Sequence, residues 1–185
     1  MVAGGFGVGK TTFVGAVSDV SPLRTDAPMT SASEGIADLT LLPEKTETTV
    51  TLDFGRRDFP EAGATLFLFG TPGQDRFRFM WDELAEGAVV AIVLADTRRL
   101  DDSFPVIDYF ERRTLPFLIA VNTFPGSHRY SPDEVREALA LGPERPVLFC
   151  DARRRASATK ILADALDLAI EHAGTPTSPY EGVRT

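Results

Sequence analysis

The sequence predicts an α/β fold with a mostly parallel sheet of about six strands and helices on both faces. Three observations carry this expectation. Short continuous apolar runs recur along the chain, helical patterns lie between them, and a glycine-rich loop leads directly into a helix.

Taken in chain order, the first strand is expected to be truncated. A strand entering such a loop usually has ~5–6 residues, and here only Met1, Val2 and Ala3 precede Gly4. The natural chain is therefore expected to start upstream. Phe13, Val14 and Val17 open a helix after the loop. Residues 21–46 are rich in Ser, Thr, Pro and acids and read as a long functional or mobile loop. In residues 49–54, Val50, Leu52 and Phe54 alternate with Thr49, Thr51 and Asp53. That is a half-exposed strand, expected at an edge and antiparallel.

Residues 65–69, 88–94, 116–121 and 146–149 are apolar runs bounded by Gly, Pro or charge. They read as strands buried on both faces. Segments 75–86 and 102–113 are helical candidates. Ser131, Pro132 and Glu134 form a helix start: an N-cap Ser, a first-turn Pro and a Glu placed for a capping box. Residues 157–172 set Ile161, Leu162, Ala165, Leu166, Leu168 and Ala169 on one apolar face. Residues 174–185 read as a disordered tail, which leaves one domain over 1–173.

Composition narrows the function. The chain has 185 residues and a net charge of −8, which excludes a generally basic nucleic-acid-binding surface and disfavours an anionic membrane. No apolar stretch has the ~18–20 residues of a membrane span, so no direct membrane insertion is expected. A single cysteine, Cys150, suits a reducing cytosol, and its apolar surroundings suggest a buried inert thiol. With only His128 and His172, a zinc site has poor support.

Gly4-Gly5-Phe6-Gly7-Val8-Gly9-Lys10-Thr11 fits the phosphate-loop pattern G-x-x-x-x-G-K-[ST] in full, with Thr12 following. Its glycines let successive backbone N–H groups converge, and the helix N-terminus adds to the anion site. Lys10 is expected at the β and γ phosphates, and Thr11 on Mg²⁺. An apolar strand ending in Asp96 offers two readings: a metal-shell acid in an ATPase-like order, or a strand-end aspartate.

Phe69-Gly70-Thr71-Pro72-Gly73-Gln74-Asp75-Arg76-Phe77 resembles the switch II region of Ras-like small GTPases. The chain as a whole, over residues 1–172, resembles the small GTPases encoded in actinobacterial conservons, and more distantly the bacterial polarity GTPases. The phosphate loop, this switch segment, Phe79-Met80-Trp81-Asp82-Glu83-Leu84, Ala95-Asp96-Thr97-Arg98-Arg99-Leu100 and Cys150-Asp151-Ala152-Arg153-Arg154-Arg155 carry the resemblance. It implies a Ras-like P-loop fold binding GTP/GDP and Mg²⁺. It also implies a Gly73 N–H near the γ-phosphate and a Gln74 that orients the attacking water. Aligned on Asp53-Phe54, it puts the switch I threonine, catalytic and metal-sensing, at Thr49. The preceding position, an arginine finger in the polarity GTPases, is Thr48 here. Arg56, Arg57, Arg76 and Arg78 are substitutes, and nothing in the sequence chooses among them.

Three positions depart from the pattern. Gly70 stands where switch II normally begins with an aspartate that holds Mg²⁺ through a water. Thr123 and Pro125 replace the lysine and aspartate of the guanine-reading N-K-x-D element, of which Asn122 remains. Asp151-Ala152-Arg153 loosely matches the base-side loop, with the Ala152 N–H expected on guanine O6. Phe77, Phe79, Met80 and Trp81 read equally as a partner patch and as a buried helix face.

The expected function is a GTP/GDP switch with slow hydrolysis in a bacterial signalling complex. It would be cytoplasmic, or membrane-associated through partners. By resemblance the partners are a Roadblock/LC7-type protein and a sensor-kinase-like protein. Two rivals stand beside it: an ATP- or NTP-hydrolysing enzyme, and a nucleotide-binding interaction module without significant hydrolysis.

Overall fold

The computed structural model describes residues 1–21, 23–28, 49–73 and 79–174. Its strands are β1 (Val2–Gly4), β2 (Leu23–Pro28), β3 (Thr49–Phe59), β4 (Ala64–Gly70), β5 (Ala91–Ala95), β6 (Phe117–Asn122) and β7 (Val147–Cys150). Its helices are α1 (Lys10–Val17), α2 (Phe79–Glu86), α3 (Phe104–Glu111), α4 (Pro132–Ala138) and α5 (Arg155–Gly174). The strands form one seven-stranded sheet in the order β2-β3-β4-β1-β5-β6-β7. Pairings from β4 to β7 are parallel, and β3 runs antiparallel to both β2 and β4.

The central strands are buried on both faces, so their side chains divide by parity between two cores. Val2, Ile92, Leu94, Leu118 and Ala120 pack with Phe13, Val14 and Val17 of α1 and Ile161, Leu162 and Ala165 of α5. Ala3, Val93, Ile119 and Val121 pack on the other face with Trp81, Val106, Ile107, Phe110 and Val135. Each fully buried Val, Leu, Ile or Phe removes enough apolar surface from water to contribute about 1.5–3 kcal/mol. The helix starts are local in origin. Ser131 Oγ accepts from Glu134 N at 3.2 Å while Glu134 Oε2 accepts from Ser131 N at 2.7 Å, the reciprocal cap expected for α4.

Three expectations are corrected. β3 is an interior strand, because residues 23–28, within the stretch expected to be loop, pair with it as β2 and take the edge. The sheet gains its seventh strand the same way. β4 is not buried on both faces: Phe67 is 55% exposed and Phe69 39%, while Leu68 between them is buried. Beyond β1 the chain leaves the doubly covered centre, and there Phe67 stacks on Phe54 and Phe69 meets it at a tilt, with no helix over them among the described residues. Helix α5 also runs longer than the 157–172 expected. The expected tail, beyond Gly174, lies outside the described residues.

Candidate functional site

The phosphate loop joins the carboxyl end of β1 to α1, at the centre of the sheet. It has a conformation that only glycines adopt without strain. Gly9, the N-cap residue, has φ 108°, and a Cβ there would meet Asn122 Nδ2 at 2.6 Å. Lys10 folds back over the loop, donating from Nζ to the Gly4 and Gly5 carbonyls, each at 2.7 Å. It is only 8% exposed. Loss of water lowers its pKa to about 8, and the Asp53 charge opposes part of that fall.

Gly73 closes against this loop. A Cβ on it would stand 2.7 Å from Lys10 Nζ and 3.0 Å from Phe6 Cα. Only a bare backbone approaches the lysine this closely. The residues expected at the γ-phosphate, Lys10 and Gly73, are thus brought together. Gln74, Asp75, Arg76, Phe77 and Arg78 lie outside the described residues, as does Thr48. Thr49 opens β3 opposite Pro28. It lies four positions, about 13 Å of strand, before Asp53, and its side chain is outside the description.

Asp53 is the residue that β3 sets beside the loop. Its Oδ2 accepts from Thr11 Oγ1 at 2.5 Å. The side chain is 6% exposed, and Oδ1 is buried with no hydrogen-bond partner among the described residues. Asp53 pairs across the strands with Gly70, where a Cβ would lie 3.0 Å from Asp53 Cβ. In sequence Asp53 stands on the polar side of a half-exposed strand and anchors the alignment of the resemblance, and the structure buries it instead. The available signal was an aspartate inside a strand of alternating apolar residues.

On the opposite side of the loop, Asn122 has no free amide end. Its Nδ2 donates to the Val8 carbonyl at 2.9 Å, and its Oδ1 accepts from Ala152 N at 3.0 Å. The N–H expected on a base carbonyl is therefore held by Asn122 here. Thr123 donates from Oγ1 to the Cys150 carbonyl at 2.9 Å, which pins the following loop to the end of β7. A cavity of about 590 Å³ opens beside these residues, lined by Thr97, Asn122, Phe124, Pro125, Asp151 and Arg153 among others. That is ample for a nucleoside. The Arg98 guanidinium lies over the Phe124 ring, 3.8 Å from its centroid.

The charged candidates sort by their partners. Arg98 binds both carboxylate oxygens of Asp96 through Nε and Nη2, a partner that suits the strand-end reading better than the metal-shell one. That contact holds the carboxyl below its usual range. Arg56 pairs with Asp58 and Arg57 with Asp19. Arg99, not singled out from the sequence, donates from Nη2 to the Phe6 carbonyl at 2.8 Å. Trp81 is buried and Phe79 is 53% exposed, so the aromatic segment supplies both a core contact and a surface one. Cys150 is buried, and desolvation pushes its thiol up to about 12, as an inert core cysteine requires. Among the described residues no helix is long and apolar enough to cross a membrane.

Comparison with known proteins places this geometry. The family model described as "Conserved hypothetical ATP binding protein" matches residues 2–172. No curated protein matches the sequence. Among solved structures, the cytosolic domain of the T. maritima FeoB iron transporter in a GDP form is 17% identical, with a TM-score of 0.63 over 91% of this chain and 61% of that one. The chain thus spans about three-fifths of that domain. The isolated T. maritima FeoB G domain is 18% identical, with a TM-score of 0.59 over 93% and 96% of the two chains. The FeoB G-domain from Methanococcus jannaschii is 15% identical, with a TM-score of 0.57 over 92% and 95%. At these identities the likeness is one of fold, that of a P-loop G domain.

Proposed function

The chain belongs to the family of conserved hypothetical ATP binding proteins, and from that premise we propose that it is a small P-loop switch cycling between GTP and GDP with slow hydrolysis. The close approach of Gly73 to Lys10 carries the reading. A segment beside the phosphate-binding lysine is placed to respond when a γ-phosphate arrives and to relax when it is lost. Residues Gly4 to Thr12 would cradle the phosphates, with Lys10 at the β and γ groups. Gln74 would orient the attacking water, and Gly73 and Thr49 would sense the γ-phosphate. Asn122 and Ala152 would shape the base side.

Thr11 would hold Mg²⁺, and Thr49, about 13 Å of strand before Asp53, would join it once the start of β3 moves toward the phosphate loop on nucleotide binding. Their hydroxyl oxygens suit this hard cation, and the unpartnered Asp53 Oδ1 nearby is a polar group awaiting charge or water. When bound, the ion neutralises phosphate charge that develops during transfer. Guanine preference is supported by the switch II pattern and by the GDP and GMPPNP forms of the FeoB cytosolic domain. The sequence resemblance adds the conservon setting: a cytoplasmic signalling complex with a Roadblock/LC7-type protein and a sensor-kinase-like protein, and membrane association through them. The domain would cover residues 1–173.

A second reading, an adenine-nucleotide or general NTP enzyme, is favoured by the family description and by Thr123 and Pro125, which offer no bidentate acceptor for guanine. Titration calorimetry of nucleotide-stripped protein with GDP and with ADP, both with Mg²⁺, decides between them. Much tighter GDP binding is expected, and equal or tighter ADP binding overturns the guanine switch. Gln74→Leu then tests turnover: an enzyme loses hydrolysis, and an interaction module loses nothing.

A further inference from the structure

P-loop nucleotide hydrolases hold Mg²⁺ with the loop Ser/Thr and a strand-borne aspartate. This chain has the hydroxyl at Thr11, but the two positions at which a strand end would supply the acid are both closed. Position 70, at the end of β4, is glycine. Asp96, just after β5, has both carboxylate oxygens on Arg98. A third carboxylate remains. Asp53 reaches the same place from β3: it pairs across the ladder with Gly70, accepts from Thr11 Oγ1 through Oδ2 and leaves Oδ1 buried without a partner among the described residues.

We propose that Asp53 is the carboxylate of the Mg²⁺ site, supplied one strand over from Gly70. The two positions face each other closely. A side chain at position 70 would place its Cβ 3.0 Å from Asp53 Cβ and 3.2 Å from Oδ2, so the glycine gives Asp53 room without crowding. A carboxylate that is 6% exposed and only half hydrogen-bonded is costly to keep, unless something binds its second oxygen. A hydrated divalent cation beside Thr11 does so, through its bound water or directly. The departure at Gly70 is then a relocation of the acid rather than its loss.

The inference rests on the nucleotide-switch reading, and its test separates the two. The affinities of fluorescent mant-GDP and mant-ADP are measured for wild type, Asp53→Asn and Asp53→Ser, in excess Mg²⁺ and in EDTA. Asp53→Asn keeps an acceptor for the Thr11 hydroxyl, Asp53→Ser removes the carboxylate with its reach, and circular dichroism checks the folding of both. Mg²⁺ is then titrated onto each nucleotide complex. Wild type is expected to bind nucleotide more tightly with Mg²⁺, and the variants to lose about 10- to 100-fold in Mg²⁺ affinity. In EDTA the variants should bind nucleotide as tightly as wild type, or more tightly, because a negative charge near the phosphates is gone. Variants with wild-type Mg²⁺ affinity overturn the proposal, as does equal weakening in both buffers, which marks a merely structural residue. Wild-type protein that binds nucleotide equally with and without Mg²⁺ also overturns it, leaving the switch reading standing. Wild type that binds neither nucleotide in either buffer overturns the switch reading itself.

Discussion

Asn122 and Val8 stand 114 positions apart in sequence and are joined by a buried hydrogen bond of 2.9 Å from Nδ2 to the main-chain carbonyl. The other end of the same amide accepts from Ala152 N. One side chain thus fixes the phosphate loop to the loop between β7 and α5, the two walls between which a nucleotide would lie.

Removing that amide should loosen both walls together. Asn122→Ala leaves a buried carbonyl and a buried N–H without partners, a loss of about 1–3 kcal/mol for each group left unsatisfied. The expected result is a lower urea midpoint and weaker nucleotide binding in the same variant. Asn122→Asp keeps the acceptor for Ala152 but sets a buried carboxylate oxygen against the Val8 carbonyl, and should destabilise at least as much. Wild-type stability in Asn122→Ala would show that the bridge is incidental.

The aromatic core offers an independent check of the packing. Phe110 is fully buried, with Tyr109 edge-on at 5.0 Å and Phe117 tilted at 5.7 Å between ring centroids. Phe110→Ala should cost about 3–5 kcal/mol, the range for truncating a buried phenylalanine. Trp81 fluorescence during urea unfolding reports it, since Trp81 packs edge-on to Tyr109. A cost near that of a surface substitution would place Phe110 outside the core.

How much of this was legible in sequence depends on the range of the determining contacts. The phosphate loop and the α4 cap are short-range patterns, and both stand where their residues predict. The apolar runs of β5 and β6 gave the doubly buried strands directly. The β4 run misled because an apolar stretch does not reveal whether a helix covers both of its faces, and among the described residues none does at Phe67 and Phe69. Leu23–Pro28 is half polar and ends in a proline, and pairing with β3 makes it a strand. Asp53 was invisible as a site residue for the same reason. Its meaning comes from register with Gly70 and proximity to Thr11, contacts spanning 17 and 42 positions.

Cys150 should be silent until the fold opens. The thiol is buried and raised to about 12 by desolvation, with Asp151 adding a smaller push. Thiolate is the reactive form, so at about pH 8 a disulfide reagent should react with native protein far more slowly than with urea-unfolded protein, whose thiol has an ordinary pKa of about 8.5. Rapid stoichiometric labelling of the native protein would contradict this burial.

Lys10 predicts two pH effects of opposite sign. Its folded pKa, about 8, lies below the ordinary lysine value of 10.5 because desolvation penalises the charged form. Between these values the unfolded chain binds more protons than the native one, so Lys10 makes the free protein more stable as pH rises through that window. Nucleotide binding runs the other way. Phosphate requires the charged lysine, so above about pH 8 association must take up a proton, and log affinity should fall with a slope approaching −1. Calorimetry near pH 9 in buffers of different ionisation heat measures the uptake directly, and near pH 7 it should vanish. Lys10→Met should abolish both dependences, along with most of the affinity. A wild-type affinity independent of pH across this range would mean that Lys10 stays charged in the free protein, and that the desolvation of its ammonium is relieved by solvent or by Asp53.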